Sequence, residues 1–250
     1  MESVGKYQNS RNWVLIPDYE RLSVCRLGFT GRCLEGYPFG SPLLDGAQAQ
    51  FVRVPKAGGT LFNLDDSSSW SSTLPKGAKE KALAGISESS LLMLADILPT
   101  GLFATIQALN HPKIAPVITG KPWPLCFDQS DISGNEVGVT AEDTILTVAI
   151  IGLGPVGICA TISMLDALVT RQLPFRIVAI DLLESRREKM DAIYAAIDEG
   201  GKGTGEFVVL PIEGAKEKIK EWTQGIGCNA VLEVRVSYLF TTVTCSWRFR

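Results

Sequence analysis

The six residues Gly152-Leu153-Gly154-Pro155-Val156-Gly157 set three glycines at the spacing G-x-G-x-x-G, directly after the apolar run Val148-Ala149-Ile150-Ile151. Glycine at the first position permits a tight turn, at the second it lets a pyrophosphate approach the backbone, and at the third it lets a helix lie close to the preceding strand. A helix opening at Pro155 and Val156 would turn its free N–H groups and positive dipole end toward the phosphates. Asp181 ends the next strand-like run, 24 residues after Gly157, where a carboxylate can accept ribose hydroxyls. These residues predict a dinucleotide site, with Gly152, Gly154, Pro155, Val156 and Gly157 on the phosphates and Asp181 on the ribose. The plainer alternative is an ordinary strand-to-helix turn with Asp181 as a cap. The order of strand, glycines, helix, strand and acid favours the nucleotide. An acid at 181 favours NAD, while Arg186 and Arg187 keep NADP open. No Gly-Lys-Ser/Thr follows the glycines, which excludes a Walker-type ATP site.

The elements that must position this turn alternate. Strands are predicted at Ile145 to Ile151, Arg176 to Ile180, Phe207 to Leu210 and Ala230 to Val234, and helices at Val156 to Leu168, Ser185 to Ile197 and Gly214 to Thr223. Strand followed by helix, repeated, implies a parallel sheet wound right-handedly with helices on its faces. Upstream the pattern is different. Met1 to Glu20 show no clear period and are expected to be irregular. Gly46 to Pro55 read as a strand, with Ala47, Ala49 and Phe51 alternating against Gln48 and Gln50. Ser67 to Lys81 read as a solvated loop. Leu91 to Ala95 read as a helix after the cap candidates Ser89 and Ser90, broken at Pro99, with a second helix from Thr100-Gly101 toward Leu109. Asn110 to Gly138 are rich in Pro and Gly, and a domain boundary is expected near residue 140.

With 250 residues, 46% hydrophobic, 20% charged and a net charge of -3, the chain is expected to be globular and to bind neither nucleic acid nor membrane. No secretory leader is legible at Met1 to Lys6, and no stretch is read as approaching the roughly 20 apolar residues that span a bilayer. A cytoplasmic location follows as the expectation. The six cysteines are then free thiols or metal ligands. Cys159 and Cys228 fall in apolar periodic segments and are expected to be small buried hydrophobes. The single histidine, His111, is expected at a helix end on the surface.

Three stretches together resemble the zinc-type medium-chain alcohol dehydrogenases. They are Cys25 to Cys33 with Asp45-Gly46-Ala47-Gln48-Ala49 to Val54-Pro55, then Leu94-Ala95-Asp96-Ile97-Leu98-Pro99-Thr100-Gly101, then the glycine turn. The second is most similar to the branch of glutathione-independent formaldehyde dehydrogenases and threonine or polyol dehydrogenases. The resemblance implies an α/β fold in which a Rossmann-like NAD(P) domain (141–250) follows part of a GroES-like β domain (1–140), incomplete at both ends. It implies hydride transfer between a small alcohol or aldehyde and NAD(P), and leaves a homo-oligomer open. By the same resemblance Thr100 lies beside the nicotinamide and Asp96 matches the third ligand of the catalytic zinc. Cys25 and Cys33 match the last two cysteines of the structural zinc lobe.

The remaining ligands have no match. Tyr19 and Leu22 stand where the other two lobe cysteines belong, and the chain contains no Gly-His-Glu. Two thiolates do not close a tetrahedral structural site, so the expectation is that zinc is not retained. The alternatives are a non-catalytic nucleotide-binding remnant and a zinc-free oxidoreductase of the quinone-reductase type.

Overall fold

A computed structural model describes residues 13–15, 36–55, 61–63, 85–121, 139–197, 199–203 and 205–234. Two compact units are distinguished, Met1–Ala95 and Asp96–Arg250. In the first, strand β1 (Trp13–Leu15) pairs antiparallel with β2 (Leu61–Asn63), Val14 opposite Phe62. A strand therefore lies within the stretch expected to be irregular. The strand expected over Gly46 to Pro55 does not form; the segment is a series of bends in which Phe51 is 87% exposed. Alanine and glutamine alternation supplies too little apolar bulk to hold a half-buried strand. Helix α1 (Glu88–Leu91) is capped by the Ser87 hydroxyl, which accepts from the Ser90 amide, not by Ser89 or Ser90 as expected. Ser67 to Lys81 and the residues after Val234 lie outside the described residues.

The second unit opens with helix α2 (Ile97–Leu109) and the short α3 (Ala115–Thr119). The break expected at Pro99 falls instead at Asp96. Pro99 sits in the first turn of α2, where its missing N–H removes no intrahelical bond, and the Thr100 amide makes the first bond, to the Asp96 carbonyl at 2.9 Å. Contrary to the sequence expectation, Ser89–Leu109 is long and apolar enough, by length and composition alone, to cross a membrane. The break at Asp96 interrupts that run, and its Gly101, Thr105 and Leu109 face is buried.

Four parallel strands follow, β3 (Leu146–Ile151), β4 (Phe175–Ile180), β5 (Glu206–Leu210) and β6 (Ala230–Glu233), in the spatial order β5-β4-β3-β6. Between them run α4 (Pro155–Thr170), α5 (Glu184–Ala196), the single turn α6 (Glu199–Lys202) and α7 (Ile212–Thr223). Every residue of β3 is buried, as a central strand covered on both faces requires. Its Val148 and Ile150 pack with Met164, Leu165 and Leu168 of α4, whereas Ala149 and Ile151 pack with Ala215, Ile219 and Trp222 of α7. Each fully buried Val, Leu, Ile or Met side chain among them contributes about 1.5–3 kcal/mol. The strands and helices expected from Ile145 onward are all present, displaced by no more than about two residues at their ends, as helix and strand limits commonly are.

Helix α4 is apolar nearly all round because it is covered twice, by the sheet and by α2. Gly101 makes that second contact: a Cβ there would lie 2.5 Å from the Ala160 nitrogen and 2.8 Å from Cys159 Cβ. Thr105 Oγ1 donates to the Ala160 carbonyl at 3.3 Å beside it. At the opposite end of the strands, Arg176 donates to Glu142 at 2.5 Å, to Glu206 at 3.0 Å and to the Trp222 carbonyl at 2.8 Å. The two carboxylates hold its guanidinium charge even more firmly than usual, against the opposing effect of burial. Arg176→Ala is expected to destabilise the unit by about 1–2 kcal/mol, since charge-assisted bonds from a mostly buried donor are lost while the two half-exposed glutamates regain water. Arg176→Lys should recover little of this, lacking the planar fork. Urea unfolding reads the effect, and an unchanged midpoint in Arg176→Ala would refute it.

Candidate functional site

The glycine turn stands where the sheet changes direction. β4 and β5 are wound to one side of β3 and β6 to the other, with α4 and α7 on opposite faces. In open parallel sheets the crevice at the carboxyl ends of the strands at such a point is where ligands bind. Gly152 continues the ladder one step past β3, its amide donating to the Ile180 carbonyl at 2.8 Å, and then takes φ +96°, a conformation reserved in practice for glycine.

Gly154 and Gly157 serve the turn in different ways. Gly154 is the N-cap of α4 with φ -70° and ψ -176°, which any residue could adopt, and a Cβ added there meets nothing within 4 Å. No side chain caps the helix and Pro155 occupies its first turn. The first-turn amides, that of Val156 among them, are thus left without a side-chain acceptor, the arrangement that receives an anion. At Gly157 there is no room. A Cβ would lie 1.7 Å from the Gly152 carbonyl oxygen and 3.2 Å from Val234 Cγ2. The spacing of the first and third glycines is therefore a packing requirement, and that of the second leaves an open face over the backbone.

Asp181 follows β4 and is buried, its side chain only 5% exposed. One carboxylate oxygen, Oδ1, accepts the Leu183 amide at 2.8 Å; the other, Oδ2, accepts the Leu153 amide at 2.7 Å and Arg186 Nη1 at 3.4 Å. Burial by itself would push this carboxyl up, but the Leu183 and Leu153 amides and the Arg186 guanidinium outweigh it and hold it below the ordinary carboxylate range. Arg187 is committed to backbone, with Nη1 2.9 Å from both the Asp181 and Leu182 carbonyls. Arg186, about half exposed, is the freer of the two arginines. The structure thus gathers Gly152, Gly154, Pro155, Val156, Gly157, Asp181 and Arg186 at one end of the sheet.

Asp96 and Thr100 form a local pair at the start of α2. Thr100 Oγ1 donates to the Asp96 carbonyl at 2.7 Å and to Asp96 Oδ1 at 3.2 Å. Because Gly101 touches Cys159 and Ala160 in the second turn of α4, the start of α2 lies toward the same end of α4 as the glycine turn. Sequence reasoning left Gly101 without a role. The helix crossing that needs it joins segments far apart in the chain. Among the described residues no group of three or more His, Cys, Asp or Glu could hold a metal ion, so the described donors do not fit a zinc site; Cys25 and Cys33 lie outside the described residues. His111 is exposed just beyond α2, its Nδ1 accepting the Lys113 amide at 3.3 Å. Cys159 is buried, and burial pushes the partly buried Cys228 thiol up to about 12. Neither is a ready nucleophile.

Two known proteins align with 211 residues of the chain, 84% of its length. One is zinc-type alcohol dehydrogenase B of Aspergillus flavus, 32% identical, of which the alignment covers 36%. The other is the medium chain reductase/dehydrogenase ucsI of an Acremonium species, 30% identical, of which it covers 52%. The chain thus spans between about a third and a half of the length of these curated relatives. No family model and no solved structure matches it. The parallel Rossmann-like sheet, the glycine turn at its switch point and these two relatives agree: over the aligned 211 residues the chain is similar to the medium-chain reductases and dehydrogenases.

Proposed function

We propose that the chain binds NAD at the glycine turn and serves an oxidoreductase that transfers hydride between a small alcohol or aldehyde and that cofactor. The observation that carries the reading is Gly154, an N-cap glycine with ordinary dihedrals and empty space where its side chain would be, at the uncapped start of a buried helix. The residues present fit a pyrophosphate. Gly152, Gly154 and Gly157 shape the turn, the Pro155-Val156 end of α4 supplies amides and dipole, and the Asp181 strand end lies where the adenosine ribose would reach. A bound nicotinamide supplies the hydride acceptor or donor. The protein's part is to bind and orient it, with Thr100 as the residue of α2 assigned to its side. NADP is the lesser alternative, through Arg186. Isothermal titration of the whole chain with NAD and with NADP tests the reading, with NAD expected to bind more tightly; heat signals absent for both would overturn it.

A second reading, nucleotide binding without zinc-assisted turnover, is favoured by the ligand set. Of three catalytic positions only Asp96 is matched, and its carboxylate accepts from Thr100. Metal polarisation is worth several kcal/mol of transition-state stabilisation, and each ~1.4 kcal/mol is tenfold in rate. The chain is therefore expected to form no NADH from short alcohols, polyols or formaldehyde in a zinc-dependent way. Turnover abolished by a chelator and restored by zinc would sink this second reading and leave the first standing.

A further inference from the structure

The bond between Asp181 and Leu153 joins two parts of the site that are separate in their expected duties. β3 and β4 pair residue by residue up to Ile151 and Ile180, and the Gly152 amide takes the last backbone acceptor of that ladder, the Ile180 carbonyl. The next amide, that of Leu153, is buried in the turn; the residue is 1% exposed and packs with Ala179 and Met190. A buried amide without an acceptor is costly. Asp181 is the residue after β4, and its carboxylate reaches across to fill the place of the missing backbone acceptor at 2.7 Å. Its other oxygen accepts the Leu183 amide two residues on, a local turn that fixes the direction of the carboxylate. Leu153 lies between the two glycines that shape the phosphate turn.

We propose that Asp181 is a positioning residue for the phosphate turn: its carboxylate holds the Leu153 amide and so couples the strand end assigned to the ribose with the loop assigned to the pyrophosphate. The proposal rests on the nucleotide reading above for its functional meaning, but the coupling itself is a property of the free protein. Its consequence is that Asp181 matters to ligands that offer it no hydroxyl. A substitution there loosens the turn, and nucleotides with and without a 2′-phosphate are weakened together.

The test compares the whole wild-type chain with Asp181→Asn, using ADP and 2′,3′-dideoxy-ADP as probes. The asparagine amide nitrogen cannot accept, so one of the two backbone amides loses its partner, and Asp181→Ala, which removes the acceptor of both, is measured beside it with the same expected result. The expected result is a fall of about tenfold or more in affinity for both probes, by a similar factor, which corresponds to ~1.4 kcal/mol. Faster hydrogen exchange at the Leu153 amide should accompany it. Were Asp181 only a ribose reader, ADP would weaken to the level of the dideoxy probe while the dideoxy probe stayed unchanged, and the proposal would be overturned. A merely structural role would lower the melting temperature and leave both affinities of the folded protein intact, which overturns it as well. If the wild type binds neither probe, the nucleotide reading fails, and Leu153 exchange alone decides whether the coupling exists. If Asp181→Asn does not fold, a through-hydrogen-bond scalar coupling between the Leu153 amide and the Asp181 carboxyl carbon in the wild type supports the proposal, and its absence overturns it.

Discussion

Gly157→Ala is expected to destabilise the sheet unit by about 3–5 kcal/mol or more, enough to leave it largely unfolded at 37 °C if it has the ordinary margin of about 5–15 kcal/mol. The added methyl would lie 1.7 Å from the Gly152 carbonyl oxygen and 3.2 Å from Val234 Cγ2. Ordinary overpacking, at about 1–3 kcal/mol, is relieved by a side chain changing rotamer. Here the first atom struck is backbone, in a turn whose Gly152 is held by the Ile180 carbonyl on one side and by a positive φ on the other. The helix start can yield only by moving away from β3 and β6 together. Thermal melting followed by circular dichroism measures the outcome, and a melting temperature within a few degrees of wild type would show that the turn is softer than its geometry.

Three residues earlier the opposite result is expected. Gly154→Val should leave the fold within about 1 kcal/mol of wild type, because its φ of -70° and ψ of -176° are open to any residue and nothing lies within 4 Å of the new Cβ. Its branched side chain would occupy the space in which a pyrophosphate meets the backbone, and NAD affinity should fall at least ~100-fold, or ~2.7 kcal/mol. Titration calorimetry beside a melting curve separates the two properties. Binding retained at wild-type strength would move the phosphate site away from this turn.

The half of the chain that carries the glycine turn was legible in its sequence for a physical reason. Parallel strands buried on both faces are near-continuous apolar runs, and Val148 to Ile151 and Ile177 to Ile180 are such runs. Gly152 and Gly157 could be read because a positive φ and a close approach of helix to turn are backbone needs that no other residue meets as well. Asp181 was legible as the acid at the strand end. Its bond to the Leu153 amide was not, since the acceptor that Leu153 lacks is evident only when the ladder is seen to end at Ile180. The N-terminal part misled because its signals are weak ones. The alternation around Ala47 and Ala49 has no bulk to bury, and Trp13 to Leu15 form a strand by pairing with residues far along the chain, a partner that no local pattern announces. At Pro99 a breaker was read as a stop, although a first-turn proline costs a helix nothing.

The place of β6 beside β3 has a consequence for how the protein reaches its fold. Residue Thr147 meets Asn229 across 82 residues of sequence, by the Asn229 side chain at 2.7 Å and by the backbone at 2.8 Å. β4 can join β3 after a single intervening helix, but pairing on the other side of β3 must wait until β4, β5 and α7 have passed. Loop closure over such a span is slow, and contact order of this kind lengthens folding from microseconds toward seconds. Until β6 arrives, the chain presents Val148 to Ile151 as an unpaired apolar edge, open to any other strand in the solution. Docking of β6, with the Thr147–Asn229 bonds, is what covers this edge of β3 in the folded sheet.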